Sequence, residues 1–216
     1  YTAKQAYQAF NARLLAEDAP ADDEIVLTSG KSYSNVFHKN GGNASFSVMA
    51  NTLRGVYGTD VLLATANSFT GSVLQADYNK KMAASMIMPN GLMSRQRTMT
   101  GAELKETVRA FVEGCEGGFV PFNRGSLPVV SGIAVEVKEA GGSYTLTGIT
   151  RNGKPLRDDD TVTVTCLATA KQMAPLLADK SAGFTGGDQQ VKSTWTEHVS
   201  GGGVALAEPE NYMTLR

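Results

Sequence analysis

The side chains of this 216-residue chain that could do chemistry are few: two histidines, two cysteines, a run of three aspartates and a pair of spaced arginines. A catalytic metal centre needs Asp, His and Asn ligands gathered together. His38 and His198 stand alone, with no H-x-H or D-x-H pair. They are read as surface or hydrogen-bonded residues, so no metal ligand and no catalytic residue is assigned. Asp158-Asp159-Asp160 lacks the alternating ligand spacing of a calcium loop and is read as a solvated turn. Cys115 and Cys166 form no redox or metal motif and are read as small apolar fillers, with a mutual disulfide as the alternative. Gly30-Lys31-Ser32 carries only the tail of a phosphate loop, and no G-x-S-x-G elbow occurs. Arg95 and Arg97 fall on one side of an expected strand and are read as surface residues.

The elements that position these residues follow from periodicity. Residues 1–24 are expected to be an amphipathic helix, with Tyr7, Phe10 and Leu14 on one face, followed by an acidic linker. Residues 25–216 form the main domain. Within it, 25–37 holds a strand, and Phe46, Met49, Leu53 and Val56 mark a helix that ends at Gly58. Residues 61–66 are a buried strand, 67–79 a loop, and 95–99 a strand. Thr100 and Glu103 have capping-box spacing, opening a helix whose Leu104, Val108, Phe111 and Val112 face inward. Strands are expected at 127–130, 133–137, 144–150 and 161–167, the last two flanking the tight-turn dipeptide Asn152-Gly153. Residues 174–178 and 191–199 are expected to be helical. Without strict βαβ alternation, this mixture predicts an α+β fold with a mixed sheet flanked by helices.

Bulk properties exclude some classes. The net charge of −1 disfavours nucleic-acid binding, and no apolar run reaches the roughly 20 residues a membrane span requires. Because the chain starts at Tyr1, it is read as a piece of a longer protein.

Several segments, in order, resemble the C-terminal, substrate-specificity domain of the 5'-nucleotidase family of metal-dependent phosphoesterases. Thr100-Gly101-Ala102-Glu103-Leu104-Lys105-Glu106 resembles that family's T-G-x-x-L-K-E helix start. Val130-Ser131-Gly132 looks like its V-S-G strand, and Asn152-Gly153-Lys154-Pro155-Leu156 its N-G-K-P-L segment. Met49 to Arg54, with Thr59-Asp60-Val61, matches its helix, turn and strand. The resemblance implies a domain that binds a nucleotide-like small molecule. It also implies an N-terminal metallophosphoesterase domain in the same parent chain, holding the divalent metals, and an extracellular, periplasmic or cell-surface location. No cofactor is expected in this chain itself.

The resemblance also implies a nucleoside pocket made of an N-G-G-G-I-R loop, a stacking Phe in L-P-F-G, and a second Phe followed by G-G-D-G. In this sequence the first loop reads Asn67-Ser68-Phe69-Thr70-Gly71-Ser72, with Ser72 where the Arg would stand. Asn90 takes the place of the first stacking Phe, and Thr169 that of the second. Phe184 with Gly186-Gly187-Asp188 is either a displaced copy of the last motif or a plain turn. The candidate substrate-binding residues are thus Asn67, Phe69, Asn90 and Asp188, in a pocket that has lost both stacking aromatics and its Arg. The competing expectation is a non-catalytic module that kept the fold and lost nucleotide recognition.

Overall fold

Five consecutive residues, Val61–Thr65, are buried without alternation, which requires a strand covered on both faces. This strand, β4, is preceded by β1 (Ile25–Ser29), β2 (Phe37–His38), β3 (Gly42–Asn43) and α1 (Ala44–Tyr57). The structure, a computed structural model, describes residues 24–88, 92–113, 128–168, 185–201 and 205–216. The helix and most of the linker expected in 1–24, and the helix expected at 174–178, lie outside these residues.

Helix α1 starts where the sequence gives it a cap: the Asn43 side chain accepts from Phe46 N–H at 3.0 Å. It ends at Gly58, in the left-handed region at φ 64°. Its apolar side, with Phe46, Met49 and Leu53, is buried in the core. Its buried polar residues hold the C-terminal segment by side chain–backbone bonds. Ser47 Oγ donates to Glu210 O (3.0 Å), Asn51 Nδ2 to Glu208 O (2.7 Å), and Thr52 Oγ1 accepts from Ala207 N–H (3.0 Å). These three buried polar side chains are thereby satisfied, and a segment without regular structure is fixed in place.

After β4 come a 3₁₀ turn at Ala66–Ser68, β5 (Ala76–Asn79), α2 (Lys80–Ser85), β6 (Met93–Thr100) and α3 (Gly101–Glu113). Then follow β7 (Pro128–Ser131), β8 (Ala134–Ala140), β9 (Ser143–Arg151), β10 (Lys154–Pro155) and β11 (Thr161–Ala168). The described part closes with β12 (Thr185–Gln190), α4 (Val191–Ser200) and β13 (Met213–Leu215). The main sheet has the order β12-β6-β11-β4-β7, with β11 parallel to β4 and its other pairings antiparallel. A second sheet has the order β10-β9-β8-β13, and its β9 packs against α3. The fold is α+β with mixed sheets and flanking helices, as expected.

Three expectations change, the first being the plain turn at Gly186-Gly187-Asp188, which lies within strand β12 because that segment pairs with β6. The Asn152-Gly153 turn is present, with both residues at positive φ (52° and 74°), but it closes β9 onto the two-residue β10. Strand β11 leaves for the other sheet, because its Val162, Val164, Cys166 and Leu167 are buried between β4 and β6. The expected loop 67–79 contains β5, which pairs antiparallel with β1.

Candidate functional site

The parallel pair sets the position of the site. Val164 lies opposite Val61 and Cys166 opposite Leu63, so β4 and β11 end at the same edge of the sheet. Antiparallel β6 begins at that edge, with Met93 opposite Ala168, and β12 ends there, with Gln190 opposite Met93. Ligands of sheets with parallel strands commonly sit beyond the strands' carboxyl ends, where loops diverge. The segments of three candidates meet here, since the loop of Asn67 and Phe69 follows β4 and Asp188 belongs to β12; Met88 and Leu92, which flank the fourth candidate in the sequence, are there too. Asn90 itself, Thr169, Phe184 and the side chain of Asp188 lie outside the described residues.

The first loop is held rigidly. Asn67 is exposed, and its Oδ1 accepts from Thr65 Oγ1 at 2.8 Å, which orients the amide. Phe69 is 3% exposed, its ring 5.9 Å from that of Phe46 and tilted by 31°. That ring belongs to the core and presents no open face for stacking. The loop also pairs with the segment approaching Asn90: Phe69 bridges Ile87, Thr70 N–H donates to Met86 O (3.0 Å), and Met88 N–H donates to Ser68 O (2.9 Å).

The residues that carry the sequence resemblance are structural. Thr100 and Glu103 form a reciprocal capping box, with Thr100 N–H donating to Glu103 Oε2 (2.9 Å) and Glu103 N–H to Thr100 Oγ1 (3.2 Å). The Thr100 N–H bond, chiefly, holds the Glu103 carboxyl below its ordinary value; burial opposes this, and the Thr100 hydroxyl and Arg97 add to it. Gly101 sits under the Arg157 carbonyl with no room for a side chain. Ser131 donates to Asn51 Oδ1 and accepts from Arg54 Nε (2.8 Å). Arg54 then reaches Glu210 Oε1 at 3.3 Å, and Glu210 Oε2 accepts from Gly132 N–H at 3.0 Å.

Asp60 accepts from Thr163 N–H (2.8 Å) and Oγ1 (2.9 Å) and pairs with Arg151. Burial alone would raise its carboxyl, but those bonds and the Arg151 and Arg54 charges hold it below the usual range. Asp158, Asp159 and Asp160 are exposed or half-buried and form a turn, pairing with Lys105, Arg157 and the Arg157 N–H respectively. His38 and His198 are both exposed, and among the described residues no group of three or more His, Cys, Asp or Glu could hold a metal. Cys166 is a free, fully buried thiol pushed up to about 12 by desolvation; Cys115 lies outside the described residues.

Sequence reasoning missed two features. One is Glu210, whose carboxylate joins the helix, strand and turn motifs, and which no local pattern marks. The other is Trp195, the sole tryptophan, fully buried with its indole Nε1 donating to Ala83 O at 2.8 Å. A large buried aromatic with one polar atom was the available signal.

No family model matches the chain, and no curated protein matches its sequence. Solved structures do match its shape. The NAD nucleotidase NadN of Haemophilus influenzae superposes with a TM-score of 0.65 at 16% identity, covering 97% of this chain and 41% of that one. A 5'-nucleotidase precursor from Thermus thermophilus gives 0.63 at 13% identity, covering 98% and 42%. The chain has a 5'-nucleotidase-type fold. The sulfate thiohydrolase SoxB of Thermus thermophilus, in complex with glycerol, shares that fold, with a TM-score of 0.64 at 13% identity, covering 98% of this chain and 38% of its own. The chain spans about two fifths of the length of these structures. No helix among the described residues is long and apolar enough to cross a membrane.

Proposed function

We propose that this chain is the C-terminal, substrate-binding part of a 5'-nucleotidase-like, metal-dependent phosphoester hydrolase, with a nucleotide pocket that has diverged. The observation that carries the reading is the convergence of the Asn67 loop, the segment before β6 and the end of β12 at one sheet edge, in a chain that matches about two fifths of 5'-nucleotidase structures along its whole length. On this reading the divalent metals and the attacking water belong to another, N-terminal domain of the parent chain. What this chain contributes is binding and orientation: the Asn67 amide, fixed by Thr65, offers hydrogen bonds to a polar ligand group. A location outside the cytoplasm, in the periplasm or at the cell surface goes with this reading.

The fold alone does not name the substrate, as the sulfate thiohydrolase among its neighbours illustrates. Burial of Phe69 and the replacement of the family's Arg by Ser72 support weak purine-nucleotide affinity. A base-aromatic stack contributes on the order of 1–3 kcal/mol, and a serine hydroxyl cannot replace a guanidinium fork for phosphate. The same two observations favour the second reading, a binding or structural module without a hydrolase partner. Sequence upstream of Tyr1 separates them: an intact two-metal motif supports the hydrolase, and its absence supports the module. For the pocket, calorimetric titration with AMP and adenosine is expected to give millimolar or weaker affinity, and a micromolar dissociation constant would show that nucleotide recognition is intact.

A further inference from the structure

One buried side chain, Trp195, adds to the main-chain bonds that join the three segments at the proposed ligand end. Trp195 lies in the first half of α4, which follows directly from β12, the strand of Asp188. At the start of that helix, Val191 N–H donates to Leu92 O at 3.0 Å, tying it to the residue that precedes β6. Across the core, the Trp195 indole N–H donates to Ala83 O, the same carbonyl that accepts from Met86 N–H at 3.1 Å. Met86 O in turn accepts from Thr70 N–H, Thr70 Oγ1 donates to Ser85 O, and Ser68 O accepts from Met88 N–H. A continuous series of bonds therefore runs from the end of β12, through Trp195 and the C-terminus of α2, to the Asn67–Phe69 loop.

Helix α2 has only six residues and is capped at its start by Asn79, whose side chain accepts from Met82 N–H at 2.9 Å. So short a helix has little stability of its own. Its last turn is fixed from outside, by the buried indole.

We propose that Trp195 is a positioning residue: its indole N–H sets the last turn of α2 and thereby holds the loop after β4 and the segment before β6 in one mutual arrangement. That these segments form the ligand end rests on the function proposed above; the linkage among them does not, and it can be tested without a ligand.

Amide hydrogen exchange on Trp195→Phe, which keeps an aromatic ring but removes the indole N–H together with the second ring's volume, tests the linkage alongside the Thr70 variant below, which leaves the core packing of Trp195 intact. The Thr70, Met86 and Met88 amides should exchange about three- to tenfold faster relative to those of β4 and β11, the effect of losing one buried hydrogen bond locally. An unchanged ratio, or the same acceleration at every amide, would overturn the proposal and leave Trp195 as core packing alone. A second variant, Thr70→Val, alters an exposed position and removes the Thr70–Ser85 bond from the far end. It should speed exchange at Met86, and no effect there would overturn the series of bonds.

Discussion

Replacing Gly101 by alanine would place a methyl carbon 1.8 Å from the Arg157 carbonyl oxygen and 2.9 Å from its carbonyl carbon. Both are backbone atoms, so no rotamer change relieves the clash. The turn 157–160 lies on the first turn of α3, where Gly101 N–H donates to Asp160 O (2.7 Å) and Ala102 N–H to Asp158 O (3.2 Å). These carbonyls satisfy amides that a helix start leaves unpaired. Alanine must lift the turn, weakening both bonds and the Lys105–Asp158 pair. Overpacking a fixed site costs about 1–3 kcal/mol and the weakened bonds about 1 kcal/mol more, giving about 2–4 kcal/mol in all. For a protein of this size that lowers Tm by about 4–16 °C. The control is Gly55→Ala, inside α1, where nothing lies within 4 Å of an added methyl; it should stabilise by about 0.5–1 kcal/mol. Urea and thermal unfolding followed by far-ultraviolet circular dichroism would measure both. A Gly101→Ala protein as stable as wild type would refute the account of why this sequence motif carries glycine.

Asp60 and Glu103 both have lowered carboxyl pKa values in the folded state. Their contribution to stability is therefore fully present above the ordinary carboxylate range, about pH 4–5, and is lost as the pH falls through the lower folded values. Asp60→Asn should cost about 1–2 kcal/mol near neutral pH, the size of charge-assisted bonds at a partly exposed site, and should flatten the acid side of the stability curve. An equally steep acid side in the variant would contradict this. Cys166, desolvated and raised to about 12, should resist thiol reagents in the native state and react as the protein unfolds in urea; prompt labelling of Cys166 without denaturant would show that the core is not closed around it.

The parts of the fold that were legible in the sequence are those fixed by local chemistry. The capping box at Thr100 and Glu103, the helix ending at Gly58 and the buried run of β4 depend on neighbouring residues, and each forms as expected. Asn152-Gly153 likewise fixes its own turn. Which strand that turn pairs with is settled by burial elsewhere, so β11 could be recognised as a strand but not placed. Strand β5 reads as polar loop because its partner, β1, is distant in sequence, and β13 is three residues long and pairs in parallel with β8. At the candidate site, the resemblance brought Asn67 and Phe69 into one loop, but it carried no information on the Phe69 ring, which Phe46 draws into the core. Glu210 and Trp195 act through contacts more than 70 residues away in the chain, with separations of 78 from Gly132 and 112 from Ala83, beyond any local pattern.

The proposed function makes the edge where β4 and β11 end a ligand site with weakened nucleotide recognition. Its most direct test is to follow backbone amide resonances of the chain during titration with AMP. The account predicts shifts that grow through the millimolar range and cluster at Asn67, Ser68, Met88 and Leu92. Saturation at micromolar AMP would show an intact nucleotide pocket, and shifts confined to the groove between α3 and β9, around Lys105 and Leu146, would put the site on the second sheet instead.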